Sequence, residues 1–437
     1  MSAESPRPPQ PVESALPLRA SVWYDRRRGG RAVVLGWVLS RLLILLMLAT
    51  LERLVVGDVF YYWRKVEAMS EVGLAGTLNE YPTPVAWILW LPHALTGGYR
   101  IGYLVAFIAL MMALDAAFTY VLWRGSGRRH DAAIDFWLVF VVLIGPLSYV
   151  RFDMLPAVLA GGALLAARRR PWVTGTLTGL GAAIKLWPAL LIPAFLAHRP
   201  DRRPAGLAFV GVGFGLALVS LVAGGWTRLV SPLTWQSGRG LQIESVWATP
   251  LMVMRAIRPS TWNVDMSRFQ AYEIFGSGVS PFVRISDLAS VVGLLLIVAL
   301  FVRAFRHPEP SATAVGLVML ATVAIMTVTN KTLSPQYLLW MGGPVAALLQ
   351  LQSYLAPERR EALVRLTWQL LALALLTHLV YPAFYDSLLG RHGQGSLLAS
   401  TTVLLLRNVA LVAFTIEVCR IAWVWLAPAP VETKPAD

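Results

Sequence analysis

RAVVLGWVLSRLLILLMLATLERLVVGDVFYYW, residues 31–63, begins with more than twenty residues that are nearly all apolar, broken by one arginine. It ends on an acid, Asp58, followed at once by aromatic and aliphatic residues. About 20 apolar residues in helical form cover the ~30 Å hydrocarbon core of a bilayer. Runs of this kind recur along all 437 residues, which are 57% hydrophobic and 14% charged. A soluble chain would carry nearly twice that charge, about a quarter of its residues. The sequence therefore predicts an all-α polytopic membrane protein. A single cysteine, Cys419, in a late apolar run excludes a disulfide framework or a thiol metal site.

The net charge of +14 would suit nucleic acid, but the positive residues sit in short runs between apolar segments. That is the pattern of cytoplasmic membrane loops, so no nucleic-acid partner is expected. The apolar runs predict about twelve spans, at roughly 32–55, 100–123, 132–149, 154–168, 172–184, 186–198, 205–225, 284–305, 311–329, 335–352, 363–381 and 397–425. Several of them, notably 154–168 and 172–184, are short and interrupted by Gly or Pro, predicting tilted or broken helices. More than half of the 38 Lys and Arg fall in the N-terminal stretch, in RGSGRR (124–129), RRRP (168–171), HRPDRRP (198–204), RAFR (303–306), ERREALVR (358–365) and the segment from Arg420. These are alternate loops, which puts both termini in the cytoplasm. Residues 1–30 and 426–437 read as disordered cytoplasmic tails around one transmembrane domain, 31–425. The loops 56–99 and 226–283 then face outward and form the site. TPVAWILWLPHALTG (83–97) is apolar enough for a further span, but counting it would invert every later loop. It reads better as an amphipathic or re-entrant helix at the outer surface.

Chemistry concentrates in those outer segments. Asp58 is expected at the outer end of the first span. The bland alternative is a helix-end carboxylate in water, but Tyr61, Tyr62 and Trp63 follow it, and Glu80-Tyr81-Pro82 lies about twenty residues on. A partly shielded acid of this kind can act as a general base toward a sugar hydroxyl. YVRFDMLP (149–156) places Arg151 and Asp153 at a turn between two spans, where a local helix cap is an equal alternative. Lys185 interrupts the apolar GAAIKLWPALLIP (181–193), and a cation there must reach water, an anion or a carboxylate. WQSGRGLQIES (235–245) offers Gln236, Arg239, Gln242 and Glu244, groups that grip sugars and phosphate. TNKTLSPQYLLW (329–340) adds Lys331 and Gln336 at another outer junction. Arg41 and Asp115 lie within apolar runs, both roughly 12–15 Å from the cytoplasmic edge by helical rise. Each alone would be costly, so they are predicted to pair across adjacent helices. No His, Cys and carboxylate set has metal spacing, and no nucleotide-binding loop is present, so neither metal nor cofactor is expected.

Taken together, Asp58 after the first run, Tyr81-Pro82 before the surface helix, RFD (151–153), KLWP (185–188), RGLQIES (239–245), SPQYLLW (334–340) and Arg407-Asn408 resemble the multi-spanning glycosyltransferases of the C-type fold. The resemblance, over about 32–425, is in particular to glycosyltransferase family 87, known from actinobacterial polyprenyl-phosphate-mannose-dependent mannosyltransferases. It implies a C-type fold with outer-face juxtamembrane helices in a bacterial plasma membrane. It also implies a polyprenyl-phosphate sugar donor, with mannose the expected sugar, and a cell-envelope glycan or glycolipid acceptor. Transfer would be an inverting single displacement with Asp58 as base. The RFD turn is found in only part of the family, which makes Asp153 a second candidate for that role. The main alternative is a polytopic transporter or lipid-linked glycan flippase, ahead of a polymer ligase with a different C-type fold and a non-catalytic membrane scaffold. Transporters show two similar halves joined by a longer cytoplasmic loop. Here that loop is the short HRPDRRP, and the long segments are external and unequal.

Overall fold

The computed structural model describes residues 29–127, 131–352, 355–391 and 395–427. Apart from their innermost residues, the two expected tails lie outside the described residues, as do Arg128 and Arg129 of the RGSGRR loop and the side chain of Gln236.

The first apolar run does not carry one helix through to Asp58. Helix α1 (Gly30–Thr50) stops, a tight turn over Arg53–Val56 follows, and a separate amphipathic helix α2 (Gly57–Glu67) begins. Its buried positions Val59, Tyr62 and Val66 repeat at helical spacing, so α2 lies against the bundle rather than extending α1. Segment 83–97 forms α3 (Thr83–Thr96). At about 1.5 Å per residue its 14 residues span only about 21 Å, too short to cross. Its buried face holds Val85, Ala86, Leu89 and Pro92, while Trp87, Trp90, Leu91 and Leu95 are exposed. Helix α4 (Arg100–Gly125) follows directly.

The central elements are shorter. They are α5 (Ala132–Ile144), α6 (Met154–Ala166) and α7 (Pro171–Ile184), then two abutting helical turns, Trp187–Leu191 and Ile192–Leu196. After them come α8 (Arg202–Ser237), α9 (Thr249–Ile257), α10 (Val279–Arg306), α11 (Ala312–Thr329), α12 (Leu339–Leu351), α13 (Pro357–His378) and α14 (Leu397–Trp425). Among the described residues seven helices are long and apolar enough to cross a membrane, against the expected twelve. The other five expected spans fold into helical pieces of 4 to 14 residues. Gly145-Pro146, Pro188, Pro193 and Pro335 stand at or near their breaks, where a ring without an N–H cannot continue the helix.

The short helices make the centre of the bundle. Helices α11 and α12 are buried along nearly their whole length. Close approach of α6 and α12 is what requires glycine there: a Cβ on Gly343 would lie 2.1 Å from the Ala157 carbonyl oxygen, and one on Gly161 2.7 Å from that of Gly343.

Arg41 and Asp115 pair as their depths predicted. Arg41 Nη2 and Nε donate to Asp115 Oδ1 and Oδ2, both at 2.8 Å. Trp37 (2.9 Å), Trp137 (2.7 Å) and Tyr149 (2.7 Å) donate to the same carboxylate.

The basic loops gather at one end of the bundle. Arg168 donates to the Pro310 carbonyl, Arg303 Nε to that of Trp423 at 2.7 Å, and the Arg202 guanidinium stands 5.1 Å over the Phe305 ring. Helices leaving that end carry Asp153, Lys185, Trp235 and Lys331 to the other.

A small sheet departs from the all-helical expectation. Strands β1 (Trp262–Met266) and β2 (Tyr272–Gly276) pair antiparallel, Trp262 opposite Gly276 and Met266 opposite Tyr272. Helix α8 bends at Gly225, whose φ of 76° is left-handed, and so runs on toward this hairpin.

Candidate active site

At the end remote from the basic loops a cavity of about 860 Å³ opens. Asp58, Glu80, Tyr81, Arg151 and Lys185 line it, as do Arg239, Gln242, Glu244, Lys331 and Gln336. Ten of the residues singled out from sequence thus share one space, although they span 279 positions of chain. Asp153 is the exception on position. It is buried beneath the wall, taking hydrogen bonds from Lys185 Nζ and Trp340 Nε1, both 2.6 Å from its Oδ1. Gln236 lies in the last turn of α8, and its side chain is outside the described residues.

Asp58 occupies the first turn of α2, where the free N–H groups and the helix dipole favour a carboxylate. Its partner is Arg151, from the extended turn that ends the one-turn helix Leu147–Val150. The same guanidinium reaches the hydroxyls of Tyr62 and Tyr381. Burial works against its charge, but Asp58 and the tyrosines outweigh that and hold the Arg151 pKa above its ordinary value. Phe152 packs edge-on against Tyr81 at 4.9 Å and lies 5.7 Å from Tyr62. This locks the Arg-Phe-Asp turn against α2 and the start of α3. Tyr61 donates to Glu80 Oε1 at 2.7 Å; burial and Glu80 raise the Tyr61 pKa, keeping it a donor. The carbonyls of Leu74, Leu78 and Tyr81 accept from buried Arg228 of α8, at 3.2, 3.3 and 2.8 Å. That ties the loop carrying Glu80 to the neighbouring helix.

Lys185 ends α7 inside a box of rings. Its Nζ lies 4.9 Å from the Phe152 centroid, 5.2 Å from Trp340, 5.8 Å from Tyr337 and 5.9 Å from Tyr81. Trp187, Trp340 and Tyr337 stack in series, with centroids 5.0 and 4.0 Å apart. The lysine that interrupts this apolar stretch therefore has its carboxylate, Asp153, and a favourable cation–π surround.

RGLQIES runs along β2 like a third strand. Ile243 N donates to Tyr272 O, Ile274 N to Leu241 O, and Gln242 pairs with Glu273. Gln242 N also donates to Lys331 O at 3.1 Å, joining this segment to the end of α11. Beyond it, Asn408 Nδ2 reaches Glu244 O, Ser245 O and Thr249 Oγ1, and Arg407 Nη2 donates to Glu244 O at 2.9 Å. Arg407-Asn408 thus hold the Glu244 loop in place. The Glu244 side chain is buried, 3.6 Å from Arg407 Nη2 and hydrogen-bonded to Tyr385. Burial pushes its pKa up to about 7, more than Arg407, Arg151 and Tyr385 pull it down.

Several buried polar atoms on this wall lack a hydrogen-bond partner among the described residues: Arg151 Nε, Arg239 Nε, Gln242 Oε1, Glu244 Oε2, Gln336 Oε1 and Trp187 Nε1. Buried polar groups normally find partners, so such a cluster marks a surface built to bind a polar ligand. Sequence reading missed Tyr381, Tyr385, Tyr337 and Trp340, which line the cavity as well. The signal was available in part. SPQYLLW places Tyr337 and Trp340 three apart on one helical face, and VYPAFYDS clusters tyrosines just after a span.

Carboxylates and hydroxyls from α2, the 80–82 segment and Glu244 thus meet cations from α7, the 238–245 segment and the end of α11. Such a site can accept a proton from a hydroxyl and neutralise an anionic leaving group together. No curated protein matches the chain. The sequence profile of glycosyltransferase family 87 matches residues 79–329, from just before Glu80 to the end of α11. The matched stretch holds Glu80, Tyr81, Arg151, Asp153, Lys185, Arg239, Gln242 and Glu244, while Asp58, Lys331 and Gln336 lie outside it. With more than half its length matched, this chain belongs to glycosyltransferase family 87.

Proposed function

We propose that this membrane glycosyltransferase takes a sugar, with mannose expected, from a polyprenyl-phosphate donor. It passes the sugar to a cell-envelope glycan or glycolipid on the outer face of the plasma membrane. The observation that carries this reading is the meeting of Asp58 with Arg239 and Lys331 around one cavity. Asp58 accepts the proton of the acceptor hydroxyl as its oxygen attacks the anomeric carbon. The bond to the phosphate oxygen breaks on the opposite side of that carbon, so configuration inverts. The bonding pair leaves with polyprenyl phosphate, which needs positive charge rather than a proton. Arg239, with its unpartnered Nε, and Lys331 supply that charge. Lys185, already balanced by Asp153, forms with its four rings a floor on which the pyranose ring rests. Asp153 acts by positioning that lysine, which leaves the base role to Asp58. Arg151 orients Asp58. Basic loops at the end opposite the cavity support an outer-face site with the termini in the cytoplasm.

The test is transfer of radiolabel from polyprenyl-phosphate sugars to a cell-envelope lipid extract by the purified protein. Wild type should transfer and Asp58→Asn should not. Transfer that survives Asp58→Asn and is lost in Asp153→Asn would move the base. No transfer from any lipid-phosphate sugar would remove the donor class.

A further inference from the structure

We propose that the lipid-linked donor enters the cavity sideways, through a portal between α8 and α10, and that its phosphate takes Lys331 over from Asp287 there. The inference rests on the donor class proposed above.

Between α8 and α10 the lining residues of the cavity are also surface residues, as Met266 and Gln270 are on the hairpin. Leu233 on α8 is 64% exposed and Asp287 on α10 has a side chain 57% exposed, and both line the cavity. The two helices pack elsewhere, α8 on α7 and α10 on α11, and no comparable packing joins them among the described residues. Both present apolar outer faces, with Phe214, Leu218 and Val222 on one and Leu288, Val291 and Leu295 on the other. The gap thus faces the hydrocarbon. Leu186, Leu190 and Met326, which also line the cavity, are apolar as well.

Asp287 is out of place on such a surface. Between Arg284 and Arg303 it is the one charge on α10, on a face where an unpaired acid is costly. Lys331 answers it, with Nζ 3.3 Å from Asp287 Oδ1. The arrangement is fixed. Ser290 Oγ donates to Thr329 O at 2.9 Å, pinning α10 to the end of α11 two residues before Lys331. Lys331 points inward and is mostly buried, whereas Asp287 is open. A long, single-oxygen pair with one member open to solvent is weak. A phosphodiester offering charged oxygens from the buried side competes well for the same ammonium. The portal therefore offers apolar lips and one exchangeable cation beside the exposed Asp287, and the cavity behind it is lined by Arg239 with an unpartnered buried nitrogen. That is the order of groups on a lipid phosphate carrying a sugar: tail in the bilayer, anion at the rim, sugar within.

The experiment compares steady-state kinetics on a long-chain polyprenyl-phosphate sugar and a short-chain, water-dispersible prenyl-phosphate sugar, using the full chain in lipid nanodiscs. Leu233→Trp narrows the portal from an exposed position that the fold does not depend on. It should raise the ratio of long-chain to short-chain donor KM about fivefold. Asp287→Asn frees Lys331 and should lower the KM for both donors several-fold, and Lys331→Gln should raise both. An unchanged chain-length ratio in Leu233→Trp, an unmoved donor KM in Asp287→Asn, or a change in acceptor KM in place of the donor's would each overturn the portal. The last result would give this route to the acceptor's lipid. A wild-type protein inactive on both donors would instead sink the donor class, a failure distinct from that of the portal.

Discussion

Two arginine–aspartate pairs lie at different depths of the same bundle, and they differ in what remains unfinished around them. Asp115 receives five donors on two oxygens, from Arg41, Trp37, Trp137 and Tyr149, and neither charged partner is more than 1% exposed. Asp58 meets Arg151 at the edge of the cavity, 30% exposed, beside an Arg151 Nε that has no partner among the described residues. A saturated polar site has no valence left for a ligand and can only hold helices together. An unsaturated one keeps donors and acceptors for something else. Burial of charge and completeness of the hydrogen bonding separate them together.

The same substitution at both places should therefore give opposite results. Asp58→Asn removes the base but leaves an amide of the same shape, so transfer should fall by about 10²–10⁴-fold. The thermal midpoint in detergent should stay near that of wild type. Asp115→Asn leaves Arg41 buried without its counterion and should cost about 3–5 kcal/mol of stability. Whatever protein still folds should keep its donor KM. If Asp58→Asn unfolds the protein while Asp115→Asn only slows transfer, the two sites have been assigned the wrong way round.

The deep pair was legible in the sequence because each charge interrupts an apolar run at the same depth, and the cost of burying either one alone names its partner. The cavity residues were legible because outer segments carrying Gln, Arg and aromatics are poorly explained as solvated loops. Other features were not. Asp58 was expected at the end of the first span, since hydropathy runs on through Val56, but the helix ends at Thr50 and Asp58 opens the next. Asp153 and Lys185 both read as site residues. Only their 2.6 Å contact shows that one lies behind the other. The hairpin was hidden by its setting among helices, although Trp262-Asn-Val-Asp-Met alternates as a strand does. Asp287 falls inside the expected span 284–305 and was not singled out, because its meaning depends on which neighbour α10 leaves uncovered.

Glu244 lies between the two extremes, buried like Asp115 but with Oε2 lacking a hydrogen bond. Burial lifts its carboxyl from the usual range to about 7, so between those values the folded chain keeps a proton that the unfolded chain has lost. Stability should be highest below the usual carboxylate range, fall as pH rises toward 7, and level off above it. Glu244→Gln should flatten that fall and make the transfer rate less sensitive to pH near neutrality. At the pH optimum the variant should lose about tenfold in rate, the worth of one charged hydrogen bond. A stability profile of unchanged slope would take Glu244 out of this titration.

The smallest expected effect tests saturation itself. Trp137→Phe keeps the ring packed on Phe118 and Phe140 but removes the indole N–H that reaches Asp115 Oδ1. Four donors remain, and that oxygen still receives Arg41 Nη2 at 2.8 Å, so neither charge is left unpaired. The cost should be that of one hydrogen bond to a charged group, about 1.5–3 kcal/mol, with transfer unchanged once the protein is folded. A loss as large as that of Asp115→Asn would mean that the cluster acts as one cooperative unit, each donor setting the geometry of the rest. A transfer defect in well-folded protein would mean that the deep pair reaches the cavity through the chain between them. Tyr149 donates to Asp115 two residues before Arg151 turns to Asp58, and no shorter path along the backbone joins the two pairs.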